Sequence, residues 1–351
     1  MKPLRLLYLP NEMTEGDQVG PRKAFSQLLR EGRIGAYATH SFLVERRRHS
    51  SHEAALRALL EAARAFGPDV VYWQHVTASY PVDAPFLQAL KSLPSQPRLV
   101  WHDPDAYGRF IKRFDPVMKT VIAHSDLAVV KGLGGFAQLV RQAGAKRLVY
   151  AVESYDDERF GQPWTPPRQR ALDAVMVANL TCLKRVPFLF MPGGRSRLRL
   201  ACRLHDALGP RFAVYGSGQG WRGRPFCRGP VGFADQERTI RSAWISVNWT
   251  QFDEIPMYFS DRLPISLAAG VAHVTNHQPG IEHALPDAQG IYFARSPADA
   301  VDIVDMLLGL PRERLLEIGY QAARYARDRL NATRVYADIV EVIQEQLFCE
   351  P

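Results

Sequence analysis

Asp103 ends an apolar run, Arg98-Leu-Val-Trp-His102, and stands before a turn-forming Pro104. A carboxylate at the end of a buried strand is placed where a general base would take the proton of an acceptor hydroxyl. The same residues also suit an Asp turn, with Asp105 capping a helix, so both readings stay open. A second set is basic. Pro192-Gly-Gly-Arg195-Ser-Arg197-Leu-Arg199 follows Lys184 and Arg185 and opens an arginine-rich helix with a Gly-Gly turn. Guanidinium forks grip phosphate oxygens two at a time, which makes Arg195 and Arg197 candidates for binding a diphosphate. Arg199 and Arg203 read better as a solvated helix face.

Further along, Val214-Tyr-Gly216-Ser217-Gly218 ends a strand in a glycine turn where a ligand could meet bare backbone. Trp221, Arg222 and Arg224 follow, suited to a nucleobase pocket, a nucleic-acid groove or a plain surface loop. Arg262 opens a short apolar segment that runs to Gly270 and into a strand-like stretch, 271–275; Gly280 and Glu282 then mark a helix start. This order fits an anion held at a sheet edge. Near the N-terminus, the loop 11–22 carries Gly20 and Arg22 into a helix, and with His102 it forms the acceptor-side candidates. His75, His102, His124 and His277 have no metal-ligand spacing, so each alone reads as a structural or loop residue and no metal is expected. No G-x-G-x-x-G, Walker loop, G-x-S-x-G elbow or H-E-x-x-H occurs.

Elements must bring these residues together. Residues 4–10, 68–73, 98–102, 127–130 and 147–150 read as buried strands, alternating with helical spacing at 22–31, 52–66 and 86–93. Nearly continuous apolar strands between helices call for a parallel sheet covered on both faces. At 156–170 charge mixes with three prolines, a linker signature. The pattern then restarts with strands at 174–178, 212–215 and 245–249 and helices at 197–208 and 235–243. The expected architecture is α/β, two Rossmann-like doubly wound halves facing a cleft: 1–160, 171–325, and a C-terminal helix, 326–351, packing back on the body.

Of the 351 residues, 46% are hydrophobic and 23% charged, a soluble globular composition that excludes a disordered chain. A net charge of +8 favours anionic partners: phosphorylated small molecules, nucleic acid or an anionic membrane face. The four cysteines form no CxxC pair, and no apolar run approaches the roughly 20 residues of a membrane span. Both point to a cytoplasmic chain.

Taken together, these motifs resemble the GT-B glycosyltransferases, and the second half resembles the "glycosyl transferases group 1" type with its CgeB-like branch. Arg262, Ala268 and Gly270 match that family's Arg-x-x-Glu-x-x-Ala-x-Gly run, and Gly280-Ile-Glu282 its Gly-Leu/Ile-Glu helix start. The resemblance implies transfer of a sugar from a nucleotide-diphosphate donor, UDP-sugar above all, to a hydroxyl without a cofactor. Arg195, Arg197, Gly216, Ser217, Gly218, Arg262, Gly280 and Glu282 would then hold the donor; Asp103 would be the base if the reaction inverts the anomeric centre and would only position the acceptor if it retains it. Where the family has the Glu that holds the donor ribose, this chain has Ile265: either another residue such as Glu254 or Glu282 holds the ribose, the donor is unusual, or the protein is a poor catalyst. A weaker resemblance to phage DNA β-glucosyltransferases implies a hydroxymethylated pyrimidine as acceptor. Envelope-polysaccharide or small-molecule acceptors, with peripheral contact to anionic lipid, and a non-catalytic nucleotide-binding module are the alternatives.

Overall fold

The computed structural model describes residues 3–167, 169–183 and 186–349; Lys184 and Arg185 lie outside them. The chain opens with β1 (Arg5–Leu9), α1 (Val19–Arg30), β2 (Ala36–Thr39), α2 (Phe42–Glu45), α3 (His52–Phe66), β3 (Val70–Gln74) and α4 (Ala84–Lys91). It continues with β4 (Arg98–Asp103), α5 (Pro116–His124), β5 (Leu127–Val130), α6 (Gly135–Gln142) and β6 (Leu148–Tyr150). Next come β7 (Leu172–Val177), a hairpin of β8 (Cys182–Leu183) and β9 (Val186–Phe190), α7 (Gly194–Leu208) and β10 (Phe212–Tyr215). Then follow α8 (Gln236–Arg241), β11 (Ala243–Val247), α9 (Arg262–Ala268), β12 (Ala272–Asn276), α10 (Ile281–Ala284) and β13 (Ile291–Ala294). Three helices, α11 (Pro297–Leu308), α12 (Arg312–Arg329) and α13 (Ala332–Phe348), close the chain.

The chain divides into two compact units, 1–152 with 332–351 and 153–331. The proline-rich stretch at 156–170 therefore belongs to the second unit, and α13 belongs to the first. In the first unit six parallel strands lie in the order β2-β1-β3-β4-β5-β6. Because alternate side chains leave opposite faces, strands with every residue buried need a helical layer on each side; β3 and β5 are buried throughout. One layer comes from α1 and α13, which set Phe25, Leu28, Tyr336 and Ile343 against Leu6, Tyr8, Tyr72 and Val129. On α3 the apolar stripe Ala55, Leu59 and Ala63 is buried; the helix starts where the Ser51 side chain accepts the Ala54 N–H and stops at left-handed Gly67.

The second unit has five parallel strands in the order β10-β7-β11-β12-β13. Its core joins Ala174, Met176, Val214, Ile245 and Val274 from the sheet to Leu200 and Leu204 of α7 and Val304 and Leu307 of α11. Strand order reverses between β1 and β3 in the first sheet and between β7 and β11 in the second. At such points the loops leaving the strand carboxyl ends diverge, and ligands bind there. No helix among the described residues is long and apolar enough to cross a membrane.

Candidate functional site

In the first unit a histidine–carboxylate pair lies one strand from the reversal point, at the carboxyl ends of β3 and β4. β3 and β4 are in register at Gln74↔His102, so the next residues, His75 and Asp103, come level. His75 Nδ1 lies 2.9 Å from Asp103 Oδ1. The same oxygen accepts the Asp105 N–H at 2.9 Å, while Oδ2 accepts the Tyr107 hydroxyl at 3.1 Å. Asp103 is fully buried, and both its oxygens are occupied; the His75 side chain keeps 21% exposure. Sequence reasoning gave Asp103 the contact with a ligand and left His75 as a loop residue. The structure places them the other way round, with His75 outermost. One backbone signal marks His75: its φ of 53°, a left-handed conformation that a residue with a side chain seldom adopts.

A carboxylate beside Nδ1 fixes the N–H on that nitrogen and leaves Nε2 with a lone pair when the ring is neutral. Burial works against the charged imidazolium, but the hydrogen bond and charge of Asp103 outweigh it, so the His75 pKa lies above its ordinary value. Burial raises the Asp103 pKa, opposed by His75. His75, Asp103 and Asp105 could each offer one atom to a cation, all within 4.8 Å of one another. Lys112 Nζ already sits 2.7 Å from Asp105, and the Tyr107 hydroxyl donates to Asp103 Oδ2, so a cation would have to displace both.

The remaining acceptor-side candidates are placed differently from expectation. His102 is no loop residue: it is on β4, 1% exposed, with Nδ1 2.6 Å from the Tyr72 hydroxyl. Burial holds its pKa well below the ordinary value. Gly20 is buried in α1. Arg22 is spent on the fold: it pairs with buried Glu12 and donates to Ser41 at 2.9 Å and Thr39 at 3.0 Å. Glu12 also accepts from Ser41 and from the Gln18 N–H, so it pins the loop that leaves β1.

In the second unit the reversal point is tied by Arg197. Its guanidinium donates to the Trp249 carbonyl after β11, at 2.9 Å from Nε, and to the Asn179 carbonyl after β7. Burial, with Arg262 nearby, pushes its pKa down to about 10. Arg197 thus clamps two backbone segments and is withdrawn from the diphosphate expected of it. Arg195, two residues earlier and on the opposite face of α7, is exposed. The start of α7 has no side-chain cap: Gly193 is left-handed at φ 68°, and a Cβ there would meet the Thr250 carbonyl at 2.3 Å. Backbone N–H groups at such a terminus favour an anion.

The glycine turn serves the fold at close quarters. A Cβ on Gly216 would come within 1.9 Å of the Ala178 carbonyl, and one on Gly218 within 2.3 Å of the Leu180 carbonyl. The bare backbone is needed there by the chain itself, whereas sequence reasoning reserved it for a ligand. Ser217 is exposed, its N–H held by Asn179 Oδ1 at 2.8 Å. Arg262 begins α9, paired with Asp261 at 2.7 Å, and its buried Nε has no hydrogen-bond partner among the described residues. Ile265 is wholly buried on that helix. Gly280, at φ 71°, turns the chain into α10, where exposed Glu282 stands 3.7 Å from His277.

Residues 195–344 match a family described as glycosyl transferase-like. A comparison with curated proteins gives no match. Among solved structures, the chain is similar to HepE from Anabaena in complex with UDP and glucose, at 12% identity and a TM-score of 0.58, covering 97% of this chain and 100% of that one. It is also similar to a glycosyltransferase from Rickettsia africae, at 10% identity, TM-score 0.59, 99% and 100% covered. A sucrose-phosphate synthase from Thermosynechococcus elongatus gives 12%, 0.58, and 99% of each chain. At such identities these likenesses establish the fold, which is GT-B.

Proposed function

We propose that this GT-B chain is a glycosyltransferase that moves a sugar from a nucleoside-diphosphate donor to a hydroxyl, with His75 as general base. The observation that carries the reading is the His75–Asp103 pair at the carboxyl ends of β3 and β4, beside the reversal point of the first sheet, in a chain whose residues 195–344 match glycosyl transferase-like proteins. HepE is described with UDP and UDP-glucose, which supports a UDP-sugar here. The fit to a hydroxymethylated pyrimidine gains no support from these similarities. A sugar, a small molecule or an envelope precursor is the better acceptor class, and a cytoplasmic setting goes with the donor.

In the proposed step, neutral His75 takes the acceptor hydroxyl proton on Nε2 as the oxygen bonds to the anomeric carbon. The carbon–oxygen bond to the diphosphate breaks, and the nucleoside diphosphate departs with the electron pair. A single displacement of this kind inverts the anomeric centre. Asp103 keeps the ring oriented and stabilises the imidazolium that forms. In the second unit, Arg195, the uncapped start of α7 and Arg262 are the groups suited to bind the donor diphosphate. No protein group in this scheme requires a metal. Ile265 supplies the rival reading, a nucleotide-binding module without turnover, since an apolar residue stands where the ribose would be gripped.

The test is release of UDP from a panel of UDP-sugars, alone and with hydroxyl acceptors, by the intact chain and by His75→Ala and Asp103→Asn. Turnover that collapses in His75→Ala supports the proposal. UDP binding without turnover on any donor would establish the module instead.

A further inference from the structure

We infer that the loop edge of the first unit docks on an anionic lipid surface, with Phe110 as the inserted side chain. Phe110 is 83% exposed, more than any other large hydrophobic side chain among the described residues. It stands in Arg109-Phe-Ile-Lys-Arg113, an apolar pair between basic residues. The loop is held in shape. Gly108 N–H donates to the Lys112 carbonyl at 3.2 Å, and Lys112 Nζ reaches Asp105 at 2.7 Å while lying 4.8 Å from the Tyr107 ring centre. Lys112 takes a left-handed φ of 50° to close this turn, a strain that persists only where surroundings enforce it. Phe110 sits midway around the closed turn, facing solvent.

Charge gathers on the same edge. Among the described residues no ion pair involves Arg109 or Arg113, and the Arg109 guanidinium lies 5.4 Å from the Phe110 ring. The 3-10 turn Arg46–Arg48 is tied in: Arg46 donates to the Ser79 carbonyl at 3.1 Å, and Ala78 N–H donates to Asp115 at 2.9 Å. The segments after β2, β3 and β4 are thus stitched together. Met13, after β1, is 56% exposed on this sheet edge. An exposed apolar tip with Arg109 against its ring and Arg113 three residues on, both outside any ion pair among the described residues, matches the interface of an anionic bilayer, which accepts aliphatic and aromatic groups together. Single-stranded nucleic acid would instead need a series of aromatic faces, and Ile111 and Met13 offer none. Docking there would bring the strand end bearing His75 to a membrane-borne acceptor, although docking itself does not depend on the catalytic reading.

The full chain should co-sediment with vesicles of phosphatidylcholine mixed with phosphatidylglycerol, far less with phosphatidylcholine alone, and less as salt rises. Each arginine near the surface is worth about fivefold in partitioning, so Arg109→Gln with Arg113→Gln should lose about 25-fold. Phe110→Ser should lose at least about tenfold while UDP release in a lipid-free assay stays unchanged. Phe110→Trp should keep binding, with its emission shifting to the blue on mixing with vesicles. The inference is overturned if anionic vesicles do not retain the chain at low salt, if these variants bind as the original does, or if the Trp emission stays put. Phe110-dependent binding of a single-stranded oligonucleotide without vesicle binding would also overturn it and assign the face to nucleic acid.

Discussion

His75 is the residue on which the chemistry turns, and its environment makes a signed prediction. Its folded pKa lies above the unfolded value near 6.5, because Asp103 outweighs burial. The charged pair therefore contributes stability fully below about pH 6.5, and that contribution is lost as pH rises through the folded pKa. A general base must be neutral, so kcat/KM should rise over the same window. In Asp103→Asn the acid limb of the pH–rate profile should move down and kcat fall; His75→Ala should lower kcat by about 10²- to 10⁴-fold. An acid limb unmoved by Asp103→Asn would remove the coupling. The two arginines of α7 divide cleanly. Arg197→Met leaves carbonyls of Asn179 and Trp249 without their donor, and should lower stability by roughly 3 kcal/mol, read as a fall in Tm. Arg195→Ala, at an exposed position, should raise the KM for the donor and leave Tm alone. Spacing in the sequence could not separate the pair, because only burial distinguishes a phosphate ligand from a backbone clamp.

At the scale of elements, the strands and long helices were legible and the closely packed turns were not. β5 and β10 and helix α3 coincide with the expected spans, since each is a run of one period bounded by strong stops. Edge strands β2 and β13, with half-buried patterns, lack that contrast and were passed over. So was α5, although Asp115 caps it and Pro116 opens it. The glycines of the 216–218 turn were recognised as points of close approach, but what approaches is the chain leaving β7. Gly216→Ala should therefore act through folding: with the Ala178 carbonyl 1.9 Å from the added carbon, the turn must open and Trp221 must give up its 2.7 Å bond to that carbonyl. A loss of about 2 to 3 kcal/mol is expected, measured by denaturant titration with and without UDP. An unchanged midpoint together with weakened UDP binding would restore the ligand's claim to that turn.

For the whole molecule, the first unit is closed by the far end of the chain. Helix α13 follows a unit of which it is no part and returns to the first sheet, where Val335, Tyr336, Ile339, Val340 and Ile343 are all 3% exposed or less. The sequence shows an amphipathic helix there but not which sheet it covers, because the stripe fits any apolar face. Each buried side chain of this size is worth about 1.5 to 3 kcal/mol, so the five together are worth roughly 10, comparable to the entire stability of a domain. Removing residues 332–351 should accordingly unfold the first unit while the second, whose core lies within 153–331, stays folded. Trp73 and Trp101 are wholly buried in the first sheet, so the truncated chain should show red-shifted emission, and hydrogen exchange should become fast in β1, β3 and β4 but stay slow in β7 and β11. Slow exchange throughout would mean that the α1 side of the sheet can close without α13.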